Sequence, residues 1–208
     1  ILNTLTIAQC ESGKYAEALS TIQRHRSLLT ISEPVKAHIF ICSYLNETNY
    51  YLLTKKFEKG AAIIKDIEKE LDTFKSGIPD IELFTLYCNI AILYFGVGDY
   101  HKSLAWINKI INHPKVMFRE DIQSFVRILL MLIHYELHTP DILNHLNVVA
   151  YRFLFKRKLL YKVEKSILHF IGKLEKIGAS PKARMEEFRR FRNELIQITK
   201  DPEEKKAL

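Results

Sequence analysis

Apolar residues recur every three or four positions along nearly the whole chain. In 81–95 they are Ile81, Phe84, Cys88, Ala91 and Phe95, and in 122–133 they are Ile122, Phe125, Leu129 and Leu132. That spacing traces one face of a helix, and no segment sustains the two-residue alternation of a strand. The pattern predicts an all-α chain. Ser32-Glu33-Pro34, Thr139-Pro140 and Ser180-Pro181 each place a capping residue just before a proline, which the first helical turn tolerates. Pro79 with Asp80 is a weaker start of the same kind. Gly13, Gly77, Gly98 and Gly178 each follow a periodic run, as glycines do at helix C-termini. Together these marks predict ten helices, over about 2–12, 15–30, 33–54, 57–75, 80–97, 100–112, 119–138, 140–156, 159–177 and 181–199. The connections are short, so neighbouring helices are expected as antiparallel hairpins.

Three short segments align: Gly13-Lys14-Tyr15-Ala16-Glu17-Ala18-Leu19, Lys55-Lys56-Phe57-Glu58-Lys59-Gly60-Ala61 and Gly98-Asp99-Tyr100-His101-Lys102-Ser103-Leu104. Each carries an aromatic three residues before a small residue, and Ala18, Gly60 and Ser103 are 42 and 43 residues apart. Upstream of the third lie Tyr87, Ile90, Ala91 and Tyr94; upstream of the second, Tyr44, Glu47, Thr48 and Tyr51; upstream of the first, Leu2, Leu5, Thr6 and Gln9. This resembles the tetratricopeptide repeat (TPR), with its large residue, Leu-Gly slot and Tyr on a first helix and its small residue on a second. The copy over 87–114 fits best, through Tyr87, Ile90, Ala91, Tyr94, Gly98, Asp99, Tyr100, Ser103, Ile107 and Pro114. The middle copy has Glu47 in the Leu slot, and the first lacks the Tyr. The period is about 42 rather than the family's 34.

The resemblance is clear over 1–114 and only architectural over 115–200. It implies a right-handed α-solenoid of about five antiparallel helix hairpins, forming one domain over 1–200 with a polar tail at 201–208. Small residues at Ala18, Gly60, Ala91 and Ser103 would let helices approach closely, while the aromatics fill the gaps between hairpins. The segment 181–199 reads as a terminal cap. Its Met185, Phe188, Phe191, Leu195 and Ile198 form an apolar stripe, and Arg184, Glu186, Glu187, Arg189, Arg190, Arg192 and Glu194 form a solvated face.

Composition narrows the function classes. The net charge is +7, but it is unevenly placed. Residues 1–150 hold 15 Lys and Arg against 16 Asp and Glu, whereas residues 151–208 hold 16 against 8. A basic end of this kind suits an acidic partner, nucleic acid or a membrane surface. The apolar run Ile128–Ile133 is far short of the roughly 20 residues that cross a bilayer, so no membrane span is expected. Cys10, Cys42 and Cys88 are odd in number and widely spaced within apolar helical stretches. They read as buried free thiols in a reducing, cytoplasmic setting rather than as a disulfide or zinc framework. The chain begins with Ile1, not Met, and reads as a fragment.

Catalytic chemistry finds little support, and no cofactor is expected. His134 and His138 share a helix face, with His145 as a conceivable third metal ligand. Glu136, however, is not placed as in the zincin motif, and a helix end bearing surface histidines explains the same residues. Glu120-Asp121 sits where a helix dipole favours acids. There is no nucleophile elbow and no phosphate-binding glycine loop.

Two binding readings remain. Arg152, Lys156, Arg157, Lys158 and Lys162 mingle with Tyr151, Phe153 and Phe155, as on nucleic-acid surfaces that combine phosphate attraction with stacking. The competing reading makes Tyr151, Leu154 and Phe155 a core face and the cations a solvated rim. The TPR resemblance implies a groove lined by first helices that holds a protein or peptide. Asn46 and Asn89 occupy the slot that often meets the peptide backbone in that family, where an amide both donates and accepts. Asn49 and Arg127 would flank them, Arg127 pairing with a carboxylate. The expected function is a non-catalytic scaffold or sensor binding a protein or peptide, with nucleic-acid association through 151–208 as the alternative.

Overall fold

Helical periodicity throughout, with few glycines and prolines, leaves the backbone one way to satisfy its hydrogen bonds. The computed structural model describes residues 1–113, 120–177, 180–201 and 204, excluding the side chains of 121, 175 and 176. Pro114, Gly178, Asp121's side chain and most of the predicted tail therefore lie outside the described residues. Among those described are ten α-helices and no strand: α1 (Leu2–Glu11), α2 (Tyr15–Arg26), α3 (Glu33–Leu53), α4 (Phe57–Phe74), α5 (Asp80–Gly96), α6 (Tyr100–Ile111), α7 (Glu120–Glu136), α8 (Pro140–Lys156), α9 (Lys162–Lys176) and α10 (Pro181–Ile198). The chain divides into two compact units, Ile1–Phe118 and Arg119–Leu208.

One turn recurs between the helices. After α1, Gly13 has φ +72°. Its N–H donates to the Cys10 carbonyl at 3.1 Å, and the Lys14 N–H donates to the Gln9 carbonyl at 2.8 Å. This Schellman closure satisfies carbonyls that the helix end leaves unpaired. The same two bonds recur around Lys55 after α3, Gly98 after α5, His138 after α7 and Lys158 after α8. Gly13 and Gly98 adopt the left-handed conformation without a Cβ clash. Lys55, His138 and Lys158 adopt it at a cost of about 1–2 kcal/mol each. Residues 13, 55, 98 and 138 are 42, 43 and 40 apart, so the repeat of turns reaches a fourth pair that no glycine marks. Gly77 differs: it ends a 3-10 turn, Lys75–Gly77, and lacks the positive φ.

Two predicted boundaries move. α2 stops at Arg26, not near 30, with Arg24 and Arg26 placed where cations suit the negative end of the helix dipole. α9 begins at Lys162, not near 159, because Lys158 and Leu159 close α8. Of the predicted capping residues, Ser180 accepts the Ala183 N–H at 3.4 Å, while the side chains of Ser32 and Thr139 accept no N–H from the helices they precede.

In the first unit the helices pack as the pairs α1/α2, α3/α4 and α5/α6. First helices also touch one another, α3 lying against both α1 and α5. The second helices α2 and α4 pack on the first helix of the following pair. α5 is thus enclosed by α3, α4 and α6, which explains why it is apolar all round: Leu83, Phe84, Leu86, Tyr87, Cys88, Ile90, Ala91, Leu93 and Tyr94 are buried. Small residues mark the tight crossings. Ser103 on α6 donates its hydroxyl to the Ala91 carbonyl on α5 at 2.8 Å, with both residues fully buried. A Cβ on Gly60 would lie 2.4 Å from Leu93 Cδ2 and 3.0 Å from Tyr51 Cβ, and one on Gly96 would lie 2.5 Å from the Phe57 ring. The two glycines bring α4 and α5 together from opposite sides.

The second unit contains the pairs α7/α8 and α9/α10, with α9 also against α7 and α8. Its core is Met131, Leu143, Ala150, Leu154, Leu168, Phe170, Ile171 and Leu174. Three expectations are corrected here. On α7 the buried face runs through Ile122, Val126, Leu129 and Ile133, and Phe125 is exposed. On α10 the apolar stripe is wider than its contact with α9, so Met185 and Phe188 are largely exposed. Glu187, read from the sequence as solvated, is buried and paired with Lys173 Nζ at 3.0 Å and Arg190 at 3.6 Å. Phe191 stacks on Phe170 at 4.1 Å between ring centroids.

Candidate functional site

The candidate groove residues of the first unit lie on consecutive first helices. Asn46 on α3 is buried and donates its amide to Asn3 Oδ1 on α1 at 2.7 Å. Asn89 on α5, one period later, is half-buried and donates to Thr48 Oγ1 on α3 at 3.1 Å. Both asparagines therefore tie one first helix to the previous one. Asn49 is exposed, one turn along from Asn46.

Glu47 shares this region. It stands where the repeat pattern calls for an apolar residue, yet it is buried. The structure resolves the conflict with a partner 21 residues away. Arg26 on α2 binds its carboxylate at 2.5 Å, and the Tyr51 hydroxyl donates to it at 3.4 Å. The Arg26 guanidinium also lies over the Tyr44 ring, 3.9 Å from its centroid. A buried carboxylate is tolerated when it is paired and hydrogen-bonded in this way. The polar letter in the Leu slot was the available sequence signal, but the partner on another helix was not legible.

Arg127 belongs to the second unit. It lies over the Phe153 ring at 3.7 Å and donates to the Gln123 backbone carbonyl at 2.9 Å and to Gln123 Oε1 at 3.2 Å. Arg157 approaches the same ring at 4.7 Å and pairs with Glu120. Among the described residues no carboxylate pairs with Arg127. Stacking on an aromatic face satisfies the planar guanidinium instead.

The histidines are occupied by the turn. His134 Nδ1 lies 2.9 Å from Thr139 Oγ1, and His134's carbonyl accepts both the N–H and the hydroxyl of Thr139. His138 is the left-handed residue of that turn, its Nδ1 3.1 Å from the Tyr135 carbonyl. Among the described residues no three His, Cys, Asp or Glu side chains converge as a metal site would require.

Arg152, Lys156, Arg157, Lys158 and Lys162 are all exposed. Of the three residues read as a core face, only Leu154 behaves that way: it is fully buried, whereas Tyr151 and Phe155 are 48% and 66% exposed and stack on each other at 6.0 Å. Helical periodicity misled because α8 turns only a narrow stripe toward α7 and α9.

Beside this face lies a cleft of about 920 Å³ between α8, α9 and α10, which sequence reasoning did not find. Val148, Tyr151, Leu168 and Ile198 give it an apolar lining, and Arg152, Lys162, Lys165 and Glu194 bring charge. Lys162 is held by Asp201, while its backbone N–H donates to Glu204 at 3.0 Å. Ser166, on the α9 wall, has a buried hydroxyl without a partner among the described residues. Three helices contribute, so no local sequence pattern encodes the cleft.

No described helix is long and apolar enough to cross a membrane. Comparison with protein-family models, with curated proteins and with solved structures finds no match for this chain.

Proposed function

We propose that the chain is a TPR-like helical-repeat module of the right-handed α-solenoid type, non-catalytic, that binds a protein or peptide as a scaffold or as the sensory part of a larger regulator. The observation that carries this reading is the recurrence of one turn at 13, 55, 98 and 138, joined to a stack of first helices linked in register by Asn46–Asn3 and Asn89–Thr48. Repeated hairpins bury their faces only against one another and leave extended surfaces for partners. In this reading Asn49 is the asparagine that faces a partner. Asn46 and Asn89 set the helix register and retain part of their amide capacity.

A second reading has its own support. Tyr151 and Phe155, exposed and stacked beside Arg152 and Lys156, are the side chains a nucleic acid would use. Affinity capture from native extract at low and high salt separates the two. Retention of a protein at both salt levels is the expected result. Retention of nucleic acid at low salt with steep loss at high salt would replace the first reading with the second.

A further inference from the structure

We propose that the cleft between α8, α9 and α10 is a docking site for an acidic peptide segment carrying a bulky apolar side chain. This deepens the protein-binding reading and rests on it, but it places the contact on a surface built from three helices of the second unit. The choice of occupant comes from the lining. Arg152 and Lys165 are exposed and have no acidic partner among the described residues, so a carboxylate reaching them displaces no existing ion pair. Their unit is also basic, with 18 Lys and Arg against 12 Asp and Glu over 119–208. Such complementarity steers an acidic segment and fixes its register. Val148, Leu168 and Ile198 offer an apolar floor for a side-chain anchor, and Tyr151 offers a half-exposed ring at the edge.

The polar groups favour a peptide over a polyanion. Asn147 spends one amide N–H on the Leu168 carbonyl at 3.2 Å, which leaves a donor and an acceptor. Gln197 on the α10 wall is exposed; its Oε1 accepts from Lys200 Nζ at 3.4 Å and keeps a second lone pair, and its amide N–H groups remain as donors. A peptide unit needs this pairing of donor and acceptor, and a phosphate does not. Glu194 stands on the same wall, where its carboxylate accepts a hydrogen bond from a peptide N–H, a donor that a phosphate chain lacks. The Ser166 hydroxyl, buried and unpartnered among the described residues, gains a bond by rotating toward a bound carbonyl or carboxylate. The volume of about 920 Å³ sits at the upper end of the range for drug-sized ligands, and it accommodates a few residues of extended chain.

Fluorescence anisotropy with the full chain tests this. The probe is a short fluorescein-labelled peptide in which glutamate alternates with leucine and phenylalanine. Its controls are the same peptide with lysine for glutamate, a single-stranded oligouridylate and dodecanoate. The acidic peptide should bind, and Arg152→Glu with Lys165→Glu should weaken it by about tenfold or more. Val148→Trp fills the floor without altering charge and should weaken it comparably. None of these residues is buried, and an unchanged melting curve confirms that each variant folds. Binding undiminished by Val148→Trp would overturn the proposal by placing the peptide elsewhere. Preference for oligouridylate or dodecanoate over the acidic peptide would overturn it as well. A protein captured from extract and bound equally by the Val148→Trp variant would sink the cleft while sparing the broader protein-binding reading.

Discussion

Gly60→Ala isolates the close approach of α4 and α5. The added methyl would lie 2.4 Å from Leu93 Cδ2, which can rotate away, and 3.0 Å from Tyr51 Cβ, which is fixed to its backbone. Leu93 itself is fully buried, so its displaced methyls must press on neighbours. Overpacking of this kind costs about 1–3 kcal/mol. Against it, alanine in a helix is favoured over glycine by about 1 kcal/mol. The expected net is a loss of roughly 1 kcal/mol, where an unhindered site would gain about as much. Leu93→Val shortens the clashing side chain. Made alone it should destabilise, and made in the Gly60→Ala background it should cost almost nothing, giving a coupling of about 1–2 kcal/mol. Urea unfolding followed by Trp106 fluorescence suits the measurement, because this is the only tryptophan and is buried in α6 of the same unit. A Gly60→Ala variant more stable than the parent, with no coupling to Leu93, would refute the crossing geometry.

Three further outcomes are expected. Lys55→Gly should stabilise the chain by about 1 kcal/mol in the same unfolding assay, since Lys55 holds φ +54° where its neighbours in the repeat are glycines; Lys55→Ala should give no such gain. His25 is buried with Nδ1 unpartnered among the described residues, and its pKa is pushed below the usual value, first by burial and then by His38 and Arg26. The unfolded chain then binds the extra proton more readily, so stability present above about pH 6.5 should fall as pH drops below it; unfolding midpoints across that window should slope upward with pH, and less so in His25→Gln. Burial, with Glu82 nearby, pushes the Cys42 thiol up to about 11, so native Cys42 should resist iodoacetamide at neutral pH and react once urea unfolds the chain.

Much of the fold was legible because its signals are local. Apolar spacing, capping residues before prolines and glycines after periodic runs mark the helices within a few residues. Ala18, Gly60 and Ser103 mark buried positions of α2, α4 and α6. The misses share a physical cause: they depend on neighbours far along the chain. His138 hides the fourth turn because histidine tolerates the left-handed conformation without advertising it. Glu47 reads as a break in the pattern until Arg26 is brought to it. Tyr151 and Phe155 have helical spacing appropriate to a core, but α8 has no helix to cover them. Met185 and Phe188 on α10 are exposed for the same reason. Asn46 and Asn89 read as groove residues, and in the structure their side chains join each first helix to the previous one. The cleft above Val148 had no sequence signal, since α8, α9 and α10 each supply only part of it.

The account depends most on first helices lying side by side in register. Nuclear Overhauser contacts from the side-chain amides of Asn46 and Asn89, measured in the intact chain, test this directly. We expect the Asn46 amide protons to contact Asn3 on α1, and those of Asn89 to contact Thr48 on α3. Amide protons that see only their own helix, or only the second helix of the same pair, would contradict it.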